Sequence, residues 1–163
     1  MNVKELIQSV ESRLVGLNQD YTALDLRGKV LRLADILKAT RRLNIAVARE
    51  SGCDASNARE RIRLYLVQYV GTVLDGTELE VVSGISEYGR RVRELRVQDG
   101  YRILTGASND PEGGVELKPT DYLLLRAEPD RDAAHRWHIA NRIRKITTLS
   151  AKDRILQYFK ENV

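Results

Sequence analysis

Apolar positions recur at helical spacing over most of the chain. Ile7, Val10, Leu14 and Leu17 fall on one face, so residues 3–16 are predicted as an amphipathic helix ended by Asn18-Gln19-Asp20. A second helix is expected from Arg27 to about Leu43, with Val30, Leu31, Leu33, Ala34, Ile36 and Leu37 as a broad stripe, followed by a short piece at Ile45–Ser51 stopped by Gly52. Asn57-Ala58-Arg59-Glu60 has the form of a capping box ahead of Ile62, Tyr65, Leu66 and Tyr69, with Gly71 closing that helix. Asp75-Gly76-Thr77-Glu78 repeats the capping pattern for a short helix through Leu79 and Val82, turned at Ser83-Gly84. One more helix follows, about Ser86 to Val97, closed by Asp99-Gly100.

The period then changes. Tyr101-Arg102-Ile103-Leu104 and Asp121-Tyr122-Leu123-Leu124-Leu125 read as two strands, and 106–114 between them is rich in Gly, Asn, Asp and Pro. Asp130 is an N-cap for a helix to about Lys145, and Ser150-Ala151-Lys152-Asp153 caps a last helix. Helix, short helix, turn, helix, strand, loop, strand is the order of a winged helix-turn-helix. The expected fold class is therefore mainly α with a small β-hairpin wing. It divides into an N-terminal helical region 1–56, a winged helix-turn-helix 57–128, and a linking segment 129–163 holding a further helix start.

Residues 57–70 and 150–163 align without gaps at an offset of 93, sharing Ala58/Ala151, Arg61/Arg154, Ile62/Ile155, Tyr65/Tyr158 and Val70/Val163. The last helix is thus expected to open a second, truncated repeat, and the chain to be a piece of a longer protein. The alternative is chance likeness between two amphipathic helices.

Composition narrows the classes. With 163 residues, 42% hydrophobic and 31% charged, the chain is expected to fold as a globular domain. No apolar run approaches the roughly 20 residues of a membrane span. A single cysteine, Cys53, excludes an internal disulfide and a multi-cysteine zinc site, and the expected compartment is the cytoplasm. The net charge of +4 is a mild hint of an anionic partner, but its distribution is blocked. Residues 27–49 carry seven bases against one acid, net +6; residues 135–160 do the same; residues 105–134 are net −4.

Several sequence blocks carry a family resemblance. They are Ala58-Arg59-Glu60-Arg61-Ile62, Glu87-Tyr88-Gly89-Arg90-Arg91-Val92-Arg93-Glu94-Leu95-Arg96, Gly100-Tyr101-Arg102-Ile103 and Pro129-Asp130-Arg131-Asp132-Ala133-Ala134-His135-Arg136-Trp137. With them, residues from about Arg27 onward resemble the N-terminal region of bacterial HNH-type restriction endonucleases. The resemblance implies tandem winged-helix-like repeats that deliver a separate metal-binding nuclease domain of the same parent chain to double-stranded DNA. It gives this chain no catalytic residue, no metal and no cofactor.

The residues expected to read DNA lie on the helix from Ser86. At 100° per residue, Tyr88, Val92 and Leu95 face inward. Glu87, Arg90, Arg93 and Glu94 point away, with Arg91 at the border. An arginine fork suits guanine O6 and N7, or a phosphate. Ser86 opens this helix, and Arg102, Arg41, Arg42, Arg136, Arg142 and Lys145 are the expected phosphate contacts. The competing reading of Arg90 and Glu94 is an exposed i, i+4 ion pair. The loop 106–114 is acidic, with Asp110 and Glu112 and no Lys or Arg, so it is an unusual wing. Val47–Asp54 is either a second reading head or a packing junction.

Other chemistry is thin. His135 and His138 stand at i, i+3 with no cysteine beside them; Asp75, Glu78 and Glu80 lack the lysine of a nuclease carboxylate cluster, and capping explains two of them. The expected function is a double-stranded DNA-binding module, with dependence on a modified base left open. The alternatives are a helical protein-interaction or homodimerisation module, for which the first two helices offer a stripe, and a transcription-regulator-like DNA-binding domain.

Overall fold

A computed structural model describes residues 2–106, 115–146 and 148–161. Among them are seven helices and three strands: α1 (Val3–Asp20), α2 (Leu26–Glu50), α3 (Ala58–Gln68), β1 (Val73–Asp75), α4 (Gly76–Ser83), α5 (Tyr88–Val97), β2 (Ile103–Thr105), β3 (Asp121–Leu124), α6 (Arg131–Arg144) and α7 (Ala151–Glu161). No helix among the described residues is long and apolar enough to cross a membrane. The chain divides into two compact units, residues 1–65 with 75–88, and residues 66–74 with 89–163.

In the first unit, α1 and α2 form an antiparallel hairpin and α2 also packs on α4. Asn2 and Glu5 close a reciprocal capping box on α1, and the Asp25 carboxylate accepts from the Gly28 amide to start α2. Two sequence expectations are corrected here. α1 runs on through Asn18-Gln19-Asp20, because Arg32 of α2 holds Asp20 at 2.8 Å and steadies the last turn. The stretch expected as two helices between Arg27 and Ser51 is one helix of 25 residues. A lone Asn44 costs only about 0.5 kcal/mol of propensity, too little to break a helix with packing on both sides of it.

The core of this unit joins Ala48, Cys53 and Val82, with Leu64 and Tyr65 against them. Val47–Asp54 is therefore a packing junction, and its charged ends are tied to each other, Arg49 to Asp54 at 3.1 Å. Burial pushes the Cys53 thiol pKa up. The box predicted at Asp75 is formed. Asp75 accepts from the Thr77 amide at 2.8 Å, its own amide donates to Glu78 at 2.9 Å, and the other Glu78 oxygen takes the Tyr65 hydroxyl at 2.7 Å. Both carboxylates are thus occupied with structure. Gly84 ends α4 at φ +69°, with Ile45 packed where a Cβ would stand, at 2.5 Å from its Cγ1.

In the second unit the sheet order is β1-β3-β2, with β2 and β3 antiparallel in the register Ile103↔Leu124, Leu104↔Leu123, Thr105↔Tyr122. β1 has no signal in the sequence reading. It is three residues long, and its place beside β3 depends on a partner some 50 positions away. The Gly71 amide donates to the Leu124 carbonyl at 2.9 Å just before it. Val92 and Leu95 of α5 are buried, as are Ile103, Leu104, Leu123 and Leu124. Gly100 has φ +79° and lies against the Asp130 backbone, whose amide donates to the Gly100 carbonyl at 2.8 Å. That contact joins the entry to β2 to the start of α6, which Asp130 caps through the Ala133 amide at 2.8 Å. α6 buries Ile139 and Ile143, and α7 packs beside it. Of the predicted wing loop, 107–114 lie outside the described residues.

Candidate nucleic-acid interface

The helix expected to read DNA starts at Tyr88 rather than at Ser86. Ser86 and Glu87 sit in the turn that precedes α5, both exposed. Ser83 shapes this turn, since its hydroxyl accepts from the Ile85 amide and donates to the Glu80 carbonyl. That leaves too few residues to begin the helix earlier.

Along α5 the predicted inner face is correct for Val92 and Leu95, each 1% exposed, while Tyr88 is half-buried. Arg90 and Arg93 project outward. Glu94 does not, and this corrects its expected outward position. Its side chain is 14% exposed and binds two arginines, Arg91 at 2.6 Å and Arg90 at 3.4 Å. The ion-pair reading of Arg90 and Glu94 is therefore realised, with Arg91 as a second partner. The consequence is a bracket. One mostly buried carboxylate fixes the stems of two guanidiniums and leaves Arg90 68% exposed. A side chain held this way loses less rotamer freedom on meeting an anion. Arg93 has no side-chain partner among the described residues.

Arg102 adjoins a second cationic feature that the sequence reading missed. An open cleft of about 380 Å³ is lined by Arg96 from the end of α5, Arg102 from the entry to β2, and Arg126 beyond β3, with Tyr101, Glu128 and Asp130. Arg96 and Arg126 are 30 positions apart, so only the strand pairing brings them to one rim. The usable signal was local. Arg96 is three residues past Arg93, close to the same face of the same helix.

The remaining expected contacts disperse. Arg41 and Arg42 are exposed on α2 of the first unit. Arg136 and Lys145 are exposed on α6 and its cap, but nine residues at 100° each put them on opposite sides of that helix, so they do not form one stripe. Arg142 is ion-paired to Glu161 of α7, which corrects its placement as an open phosphate contact. Hydrogen bonds from Gln157 and Arg142 hold the Glu161 carboxyl below its ordinary pKa. His135 and His138 are exposed, and His138 makes an edge contact with Trp137 at 5.0 Å. No group of three potential metal ligands comes together among the described residues.

Arg61 is the second residue that sequence reasoning passed over as chemistry. It is 4% exposed, with no carboxylate partner among its hydrogen bonds. Its guanidinium instead donates to four carbonyls: Val82 at 3.1 Å, Ser83 at 2.5 Å, Ala55 at 3.0 Å and Ser56 at 3.2 Å. Val82 and Ser83 are at the C-terminal end of α4, where the helix dipole is negative. Burial lowers the Arg61 pKa from its usual value, yet an arginine stays charged. Its role is to pin α4 to the start of α3.

Residues 59–125 match the family model described as the KpnI N-terminal domain. No curated protein and no solved structure matches the chain. The matched stretch runs from α3 through β3 and takes in the Arg61 clamp, α5 with its Glu94 bracket, and two of the three arginines of the cleft. This part of the chain is similar to an N-terminal domain associated with a restriction enzyme.

Proposed function

We propose that residues 57–128 form a winged helix-turn-helix that binds double-stranded DNA, with α5 as the helix entering the major groove. The element order α3-β1-α4-α5-β2-β3 and the sheet order β1-β3-β2 are those of a winged unit, and they support the reading. The observation that carries it is the outer face of α5, where Arg90 is braced by a mostly buried glutamate and Arg93 has no side-chain partner among the described residues. Arg90 and Arg93 are the groove-reading residues; Arg96, Arg102 and Arg126 hold the phosphates along the cleft rim. In its finer form, the reading makes this module the DNA-targeting part of a restriction enzyme whose separate HNH nuclease domain does the cutting. The HNH nuclease rests on the resemblance of residues 27 onward alone, while the 59–125 match supports the association with a restriction enzyme. α7 is then the opening helix of a second such unit, since it repeats α3 in bounds and caps.

The test is a gel-shift titration of duplex DNA at several salt concentrations. Each neutralised phosphate contributes a slope of about 0.9 in log K against log salt. Arg93→Ala is expected to weaken binding about tenfold or more and to reduce discrimination between duplexes, at roughly 1–3 kcal/mol for a lost bidentate base contact. Arg126→Ala is expected to weaken binding to every duplex alike and to lower the salt slope by about one. Binding that ignores salt and survives both substitutions refutes the proposal.

A further inference from the structure

The α1–α2 hairpin carries an apolar face that is exposed among the described residues. On α1, Ile7, Leu14 and Tyr21 recur every seven residues and are 40%, 49% and 53% exposed. On α2, Leu26, Val30, Leu33 and Leu37 follow heptad-like spacing, with Leu26 79% exposed. The hairpin closes through other residues. Leu6, Ile36 and Ala39 are buried, and Arg13–Asp35 and Arg32–Asp20 tie the two helices together. Helix geometry turns both stripes to the same side. The stripe is rotated from its helix's contact line by about 100° on α1 and about 120° on α2, in the same sense, and in antiparallel helices rotations of one sense point the same way. Lys29 of α2 lying over the Tyr21 ring at 4.3 Å agrees with this.

From their fractional exposures, the seven residues present on the order of 800 Å². That exceeds the largest apolar patch of an ordinary monomer and equals what one partner gives a standard interface.

We propose that this face is a homodimer interface, a four-helix bundle in which the hairpin of one copy packs on that of a second copy of this chain. Three features select a second copy. The patch area is that of one half of a dimer. The stripe of α2 is already a helix-packing surface, because further along the same side, at Ala48, it packs in the core with Val82 of α4. The rims avoid like-charge contact in one arrangement. The α2 rim carries Arg27 and Lys38 and would repel its own image, whereas the α1 rim carries Lys4 and Glu11 and is neutral, so α1 of one copy faces α2 of the other. The hairpin precedes the stretch matched at 59–125, so this pairing uses none of the matched residues.

The test is sedimentation equilibrium on the full chain over roughly 1–100 μM. The wild type is expected to be dimeric. Leu33→Glu with Leu37→Glu is expected to raise the dissociation constant at least a hundredfold, with helix content by circular dichroism unchanged, since both positions are exposed. Leu14→Glu tests the α1 half independently and is expected to act in the same direction. A wild type that is monomeric throughout, or a dimer that survives both variants, overturns the proposal. Because Arg90 and Arg93 are untouched, a monomeric variant that still binds duplex DNA separates this result from the DNA-binding one.

Discussion

α3 and α7 share four of their eleven residues and are opposite in environment. Both have eleven residues, and their bounds differ by the offset of 93 found in the sequence. Their caps also agree. Asn57 accepts from the Glu60 amide at 2.8 Å, and Ser150 accepts from the Asp153 amide at 3.2 Å. Past the cap the likeness ends. Ile62 and Leu66 of α3 are 0% and 1% exposed, whereas their counterparts Ile155 and Phe159 are 58% and 62% exposed. Arg61 is locked to four carbonyls, whereas the Arg154 Nε is buried with no partner. Tyr65 donates to Glu78, whereas Tyr158 meets the edge of Phe159. The difference is one of neighbours. α3 has the end of α4 to receive Arg61; α7 has α6 along one side and an open apolar groove of about 530 Å³, lined by Ile143, Arg154, Ile155 and Phe159 among others. A helix with this pattern is legible from its caps and spacing, but whether it becomes core depends on what is there to cover it.

The two helices are expected to differ most at their arginines. Arg61→Ala strands the buried carbonyls of Val82 and Ser83 and is expected to cost about 2–6 kcal/mol, at roughly 1–3 kcal/mol for each group left without a donor or solvent. Arg154→Ala is expected to change stability by less than about 0.5 kcal/mol, because it breaks no side-chain hydrogen bond among the described residues and removes an unpartnered Nε. Urea denaturation of both variants measures the gap, and equal losses would mean that α7 is as structural as α3.

Next come the paired isoleucines. Ile62→Ala is expected to cost about 2–4 kcal/mol by loss of buried area and creation of a cavity, and Ile155→Ala less than about 0.5 kcal/mol. Thermal unfolding followed by calorimetry reads both.

The caps give a smaller contrast. Asn57→Ala is expected to cost about 1 kcal/mol of global stability, as for a typical N-cap. Ser150→Ala is expected to fray α7 without a comparable global loss, because α7 buries none of its described residues. Hydrogen exchange of the amides of Glu60 and Asp153 distinguishes the two.

The smallest effect is electrostatic. The hydrogen bond from Arg63 holds the Glu60 carboxyl below its ordinary value of 4.5. A depressed folded-state pKa stabilises above the unfolded value and loses that contribution as pH falls through the folded value. Glu60→Gln is therefore expected to be slightly less stable than wild type at neutral pH, by well under 1 kcal/mol for a pair 29% and 39% exposed, with the deficit vanishing in acid. Urea midpoints at neutral and acid pH test this, and a deficit that grows in acid contradicts it.

Local chemistry determined a good deal of this protein from the sequence alone. The box at Asp75, the N-cap at Asp130, the stop at Gly84, the burial of Val92 and Leu95 on α5 and the strands β2 and β3 each follow from residues within a turn or two of each other. Tertiary structure decided what depends on distant partners. It fused two predicted pieces into α2, extended α1 through Asp20, and supplied β1, which three residues cannot specify. It drew Glu94 inward between two arginines, paired Arg142 with Glu161, and set Arg96, Arg102 and Arg126 around one cleft. The physical reason is range. Capping and periodicity act over three to seven residues and are written consecutively. Burial, ion pairing and strand order are set by groups tens of positions apart, whose meeting no local pattern records.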